Sequence, residues 1–158
     1  MEQHIISALV ENHFGVLARI SGLFSARGYN IDSLAVGETH DPTISRMTIV
    51  VTGDDPIIQQ VNKQLNKLVD VIKVTDVTEE EHVERELMLM KVSHSKTTRS
   101  EIVQLVEIFK ARIIDFNPKN VIIEIVGSKD KILSFMDIMR AFGIKEVART
   151  GRIALNRG

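Results

Sequence analysis

The run Ile5-Ile6-Ser7-Ala8-Leu9-Val10 is short and β-branched, as a buried strand is. Asn12-His13-Phe14-Gly15 interrupts it, and apolar side chains then recur at Val16, Leu17, Ile20, Leu23 and Phe24, one face of a 3.6-period helix. Gly28 supplies the left-handed position that ends such a helix. Asn30 to Glu38 reads as extended, Thr39-His40-Asp41-Pro42 as a turn, and Met47 to Val51 as the next strand. Asp54-Asp55-Pro56 opens a second helix, because Asp caps free N–H groups and Pro lacks the donor that the first turn cannot use. Ile58, Val61, Leu65 and Leu68 continue it, and Val69 to Val77 reads as a final strand with an irregularity. The order βαββαβ fills residues 1–77.

The same order starts again after an acidic stretch, Thr78 to Arg85, which reads as a solvated linker. Leu87 to Val92, Arg112 to Phe116, Val121 to Val126 and Ile144 to Leu155 are the expected strands, the last one broken near Gly151. Thr98-Arg99-Ser100-Glu101 has the form of a capping box, with Ile102, Leu105, Val106 and Phe109 behind it. Ser128 caps a helix bearing Ile132, Phe135, Met136 and Met139, and Gly143 ends it. Leu23-Phe24-Ser25-Ala26-Arg27 echoes Ile108-Phe109-Lys110-Ala111-Arg112, a short hint of duplication. The expected fold class is α+β: two tandem ferredoxin-like units, residues 1–77 and 86–158, joined by residues 78–85.

Composition narrows the function classes. The chain has 158 residues with 20 Lys plus Arg against 21 Asp plus Glu, so it lacks the basic excess that phosphate neutralisation needs. With 44% hydrophobic residues it can build a core, yet no apolar run approaches the ~18 residues of a membrane span. There is no basic-then-apolar leader, and zero cysteines exclude disulfides, thiolate metal sites and a cysteine nucleophile. A soluble cytoplasmic protein without nucleic-acid or membrane partners is the expectation. His4, His13, His40, His82 and His94 form no metal-binding spacing and read as surface or turn residues. Met47, Met88, Met90, Met136 and Met139 read as core.

Right-handed crossovers put strands one and three in the centre of each sheet and strand two at its edge. In the first unit that edge, Asn30 to Glu38, carries neither Lys nor Pro, which favours pairing with a second copy. The loop before the first helix is the other informative place. Unpaired N–H groups at a helix start can hold a carboxylate, Gly15 admits a ligand to the backbone, and Asn12 offers both a donor and an acceptor. The same residues also read as a plain helix cap with a glycine that relieves a clash.

Leu9-Val10-Glu11-Asn12-His13-Phe14-Gly15-Val16-Leu17-Ala18-Arg19-Ile20 resembles the opening of an ACT domain, whose Asn-x-x-Gly loop belongs to an amino-acid effector site. Gly22 to Leu34, Asp41 to Ile49, His82 to Leu87 and Glu146 to Gly151 resemble the small regulatory subunits of acetolactate (acetohydroxyacid) synthase, over nearly the whole chain. The resemblance implies a non-catalytic homodimer that partners a catalytic large subunit carrying thiamine diphosphate, a divalent metal (Mg2+) and FAD, with no cofactor in this chain. It implies activation of that subunit in branched-chain amino acid synthesis, and feedback inhibition by valine or a relative. The effector positions it implies are Asn12, Gly15, Val16 and Leu17 from one protomer and Asn30 and Ile31 from the other. Backbone N–H groups near Gly15 to Leu17 would take the carboxylate, Asn12 and Asn30 the ammonium, and Val16 and Ile31 the side chain. The second unit has Ser95-Lys96-Thr97-Thr98 in place of that loop, without the glycine, and is expected to be an effector-free dimerisation or contact module. Two other classes fit the residues less well. An enzyme in its own right lacks a nucleophile or metal motif here. A ligand-responsive transcription regulator of the same fold would need a DNA-reading element, and the basic residues Arg140, Lys145, Arg149, Arg152 and Arg157 are diluted by Glu146.

Overall fold

The first unit begins with β1 (Glu2–Glu11), whose even-numbered side chains Ile6, Ala8 and Val10 face one way and whose Ile5, Ser7 and Leu9 face the other. The chain continues through α1 (Val16–Ala26), β2 (Asn30–Glu38), β3 (Ile44–Gly53), α2 (Asp55–Asn66) and β4 (Val71–Asp76). The computed structural model describes residues 2–158. The four strands form an antiparallel sheet in the order β2-β3-β1-β4, so β1 and β3 are central and β2 is an edge. Ile6 stands opposite Ile49, and Ala8 opposite Met47. These residues meet Val16, Ile20 and Phe24 of α1 and Ile58, Val61 and Leu65 of α2 in one apolar core. Each buried side chain of this size stabilises by about 1.5–3 kcal/mol, which is why the helices hold this face of the sheet.

Asp54 caps α2 by accepting the Ile57 N–H at 3.2 Å. Gly28, at φ +69°, ends α1, with Tyr29 N–H donating to the Phe24 carbonyl and Gly28 N–H to the Ser25 carbonyl. The strand expected over Val69 to Val77 is confined to Val71–Asp76.

The second unit repeats the order: β5 (His82–Ser93), α3 (Arg99–Ile108), β6 (Arg112–Phe116), β7 (Asn120–Gly127), α4 (Lys129–Met139), a 3-10 turn (Arg140–Phe142) and β8 (Ile144–Arg149). Its strands are ordered β6-β7-β5-β8. Met88, Met90, Ile123, Ile125, Phe135 and Met139 lie in its core, as does Met47 in the first. Ser128 caps α4 through the Lys131 N–H. The expected capping box at Thr98 does not form: its hydroxyl accepts the Ser95 N–H at 3.0 Å and so turns back into the loop. The expected echo between the helix ends is also three residues out. Lys110, at φ +54°, takes the place of Gly28, since Ala111 N–H donates to Val106 and Lys110 N–H to Glu107 in the same pattern. An L-residue in that conformation is strained by roughly 1–2 kcal/mol, offset in part by the entropy a glycine would lose. Lys110→Gly is therefore expected to stabilise the protein by about 1 kcal/mol, read as a shift in the urea midpoint at unchanged slope.

The division between the units differs from expectation. Residues 2–84 and 152–158 form one compact unit and 85–151 the other. The strand expected to run from Ile144 to Leu155 is two strands, and β9 (Ile153–Asn156) returns to the first unit. There Ala154 packs on Ile5, Val50 and Val77, covering part of the sheet face opposite the helices. Arg152 donates to Gln3 Oε1 at 2.8 Å and to Glu84 Oε1 at 3.3 Å, and Arg157 N–H to the Glu81 carbonyl. The segment expected as a free linker is thus half used: His82 and Glu84 are in strand. The Glu80 carbonyl, 2.8 Å from its Nδ1, raises the pKa of His82. Among the described residues no helix is long and apolar enough to cross a membrane.

Candidate functional site

The loop between β1 and α1 is tied to its neighbours at four points. Glu11 N–H donates to the Asp70 carbonyl and Asn12 N–H to the Thr43 carbonyl, both at 2.8 Å. The Asn12 side-chain amide donates to the Pro42 carbonyl at 3.0 Å and to Glu38 Oε1 at 3.3 Å. Asn12 is therefore not the cap of α1; it fastens the loop to the β2–β3 turn. That turn is itself held by Asp41, which accepts the N–H and hydroxyl of Thr43. Those two hydrogen bonds, the backbone one first, keep its carboxyl below the usual range.

Gly15 occupies the cap position at φ +88°, and no side chain caps the helix. Apart from a long 3.5 Å contact from the Val16 N–H to the His13 carbonyl, the first turn offers its N–H groups outward with the positive end of the helix dipole. A Cβ added at Gly15 would meet nothing within 4 Å, so the backbone there is open to approach. The side chain of Val16 is in the core at 4% exposure. Leu17 and the fully exposed Phe14 supply the apolar surface around the loop. Asp70, which is buried, pairs with Arg19 from the next turn of α1, and His13 Nε2 lies 2.7 Å from Glu11 Oε2. Arg19, Asp70, Glu38 and Phe14 were not legible as neighbours at this loop, because partners this far apart in sequence leave no local pattern.

Asn30 and Ile31 are not near this loop in their own chain. Asn30 pairs with Thr52, and Thr52 with Gln3; Asn12 follows Glu11, which pairs with Ile44. Gln3 and Glu11 are about eight strand positions apart, some ~26 Å at 3.3 Å per residue. Ile31 packs against the core, and the exposed Asn30 donates to Asp32 Oδ1 at 2.7 Å. The expected six residues thus fall into two groups at opposite ends of edge strand β2. An antiparallel pairing of β2 with β2 of a second copy reverses the strand, and would set the Asn30 end of one beside the Glu38 and Asn12 end of the other.

On the sheet face away from the helices, Ser7, Leu9, Arg46, Lys73 and Thr75 line a cavity of about 230 Å³ with tail residues Leu155 and Asn156. Arg46 donates to the Ser7 hydroxyl there at 2.6 Å.

Residues 6–73 match the family of AHAS small subunit-like ACT domains, and residues 85–158 the family described as the small subunit of acetolactate synthase. The chain belongs to the acetolactate synthase small-subunit family. It is 54% identical over 156 residues to the probable acetolactate synthase small subunit of Archaeoglobus fulgidus, covering 99% of this chain and 98% of that one. It is 49% identical over 158 residues to the acetolactate synthase small subunit of Aquifex aeolicus, covering 99% and 82%. The crystal structure of the small subunit from Thermotoga maritima superposes with a TM-score of 0.91 at 44% identity, over 100% of this chain and 99% of that one. In this family the chain's two βαββαβ units are an ACT domain and a C-terminal domain of the same topology.

Proposed function

We propose that this chain is the regulatory subunit of an acetolactate synthase. It dimerises through β2, binds valine or a close branched-chain relative between the two ACT domains, activates a catalytic large subunit and makes it sensitive to that effector. The observation that carries the reading is the pair of half-sites at the two ends of an unprotected edge strand. One half offers outward N–H groups at an uncapped helix start, suited to a carboxylate. The other offers the exposed amide of Asn30. The chemistry and its cofactors, thiamine diphosphate, Mg2+ and FAD, are assigned to the large subunit, and turnover of pyruvate by this chain alone is expected to be negligible.

The second unit is read as a contact module. Ser95 and Thr97 hydroxyls lie 2.9 Å apart and Thr98 takes the Ser95 N–H, so its loop spends its polar groups on itself. Its edge strand β6 is exposed along its whole length and bears Ile114 and Phe116, an apolar rim suited to a protein partner.

Calorimetry of the purified protein against each of the standard amino acids tests the reading. Heat is expected with valine or a branched-chain relative and with few others, since one methylene in such a pocket is worth ~1–3 kcal/mol. A chain that stays monomeric in sedimentation, or that takes up no branched-chain amino acid, overturns it.

A further inference from the structure

At the start of β1, on the face that carries Ile6 and Ala8, stands His4, only 3% exposed. Its Nδ1 lies 3.0 Å from Asp76 Oδ2, and Asp76 is held in turn by the Thr78 N–H on its other oxygen, at 3.0 Å. A carboxylate on Nδ1 fixes the proton there and turns the Nε2 lone pair the other way. Nε2 is buried and makes no hydrogen bond; among the described residues only one other buried side-chain polar atom, Asn62 Oδ1, is in that position. An orphaned buried nitrogen costs about 1–3 kcal/mol if nothing meets it.

What Nε2 faces is a pair of carboxylates. Asp55 Oδ1 is 3.7 Å away, too long for a hydrogen bond, and ligand atoms of Glu2, His4 and Asp55 all lie within 4.8 Å of one another. Two ligands of one zinc-sized ion stand about 3.3–4.2 Å apart at bond lengths near 2.1 Å, so a small closure of the exposed Glu2 and Asp55 side chains completes three ligands. Asp55 is free to serve, because Asp54 is the residue that caps α2. A second cluster, Glu11, His13 and Asp70, differs in kind: Arg19 already supplies its cation, and His13 is exposed.

We propose that Glu2, His4 and Asp55 bind a divalent transition-metal ion, with Asp76 as the carboxylate that orients the imidazole. An imidazole with two carboxylates suits zinc and its first-row neighbours over magnesium or calcium, whose ligand sets are all oxygen. Two negative charges balance the ion, and a water fills the fourth position. The positive end of the α2 dipole opposes a cation there, which sets the expected affinity at micromolar rather than nanomolar. The ion would fasten the first strand to the start of α2 and to β4. This inference does not depend on the dimer or on the effector.

Untagged full-length protein, stripped with chelator, is titrated with Zn2+ by calorimetry and by thermal melting, and with Co2+ by visible absorption. One micromolar-affinity site, a raised melting temperature and the intense visible bands of four-coordinate cobalt are expected. Asp55→Asn and Glu2→Gln, both on exposed side chains, are expected to abolish all three signals while leaving the metal-free melt unchanged. Asp76→Asn is expected to weaken binding ten- to a hundredfold, roughly what loss of an orienting carboxylate costs. Absence of micromolar binding in the stripped protein overturns the proposal. So does binding that survives Asp55→Asn, or that is lost instead on His13→Gln.

Discussion

Arg149→Met is expected to lower the unfolding free energy by about 3 kcal/mol, the low end of what breaking a buried ion pair costs. Glu86 is 3% exposed on β5, and its two oxygens take Nε and Nη2 of Arg149 on the adjacent strand β8, the latter at 3.1 Å. The Glu86 hydrogen bond, more than the charge, holds the Arg149 guanidinium pKa above its usual value against the effect of burial. Removing the arginine leaves a carboxylate with no partner in a place that water reaches poorly, and that unmet charge is the source of the loss. The low end applies because the Arg149 side chain keeps 38% exposure, so solvent relieves part of the penalty. Urea unfolding at fixed protein concentration reads the change. The double variant Glu86→Leu/Arg149→Met separates pairing from packing: it is expected to recover most of the loss, because an apolar pair of like volume needs no counter-charge. A loss under about 1 kcal/mol in the single variant would mean that Glu86 finds water.

That ion pair also marks the boundary of what the sequence discloses. Both βαββαβ orders were legible because period-2 and period-3.6 patterns are local, and because Asp54, Ser128, Gly28 and Gly143 punctuate them at the right places. Topology then followed from handedness, and β2 lies at the edge as expected. The misses share a cause. Ile153-Ala154-Leu155 alternates like any strand, but its pairing with β5 and the packing of Ala154 on Ile5, Val50 and Val77 depend on residues far away in sequence. Thr98 has cap chemistry, yet its hydroxyl met the nearer Ser95 N–H first. Lys110 hides a left-handed position because a lysine there carries no signal, whereas Gly28 announces one. His4 was expected at the surface, since nothing adjacent to it reveals that Asp76 and Asp55 close over it. At the loop between β1 and α1 the residue types were readable, but the tie from Asn12 to Pro42 and Glu38 was not.

Asn12→Ala is expected to weaken valine binding ~10- to 150-fold, the range that follows from losing one hydrogen bond of about 1.5–3 kcal/mol to a charged group. Activation of the large subunit is expected to persist, because the substitution removes an exposed amide and its two bonds to the β2–β3 turn and touches no core residue. The readout is a split: full activation, with inhibition shifted to higher valine. Reciprocity adds a second check, since the large subunit must change valine affinity by the factor with which valine changes affinity for the large subunit. Asn30→Ala is expected to give the same phenotype from the other half-site. The two variants mixed and reassembled decide the geometry. In a dimer of one Asn12→Ala and one Asn30→Ala chain, the two-fold arrangement puts both lesions in one site and leaves the other site whole. Mixing should therefore restore high-affinity valine binding at about one site in each mixed dimer. If both residues acted within their own chain, every site in the mixture would keep one lesion and nothing would be restored. With ~26 Å of strand between them in one chain, restoration is the outcome the register demands of the proposed dimer.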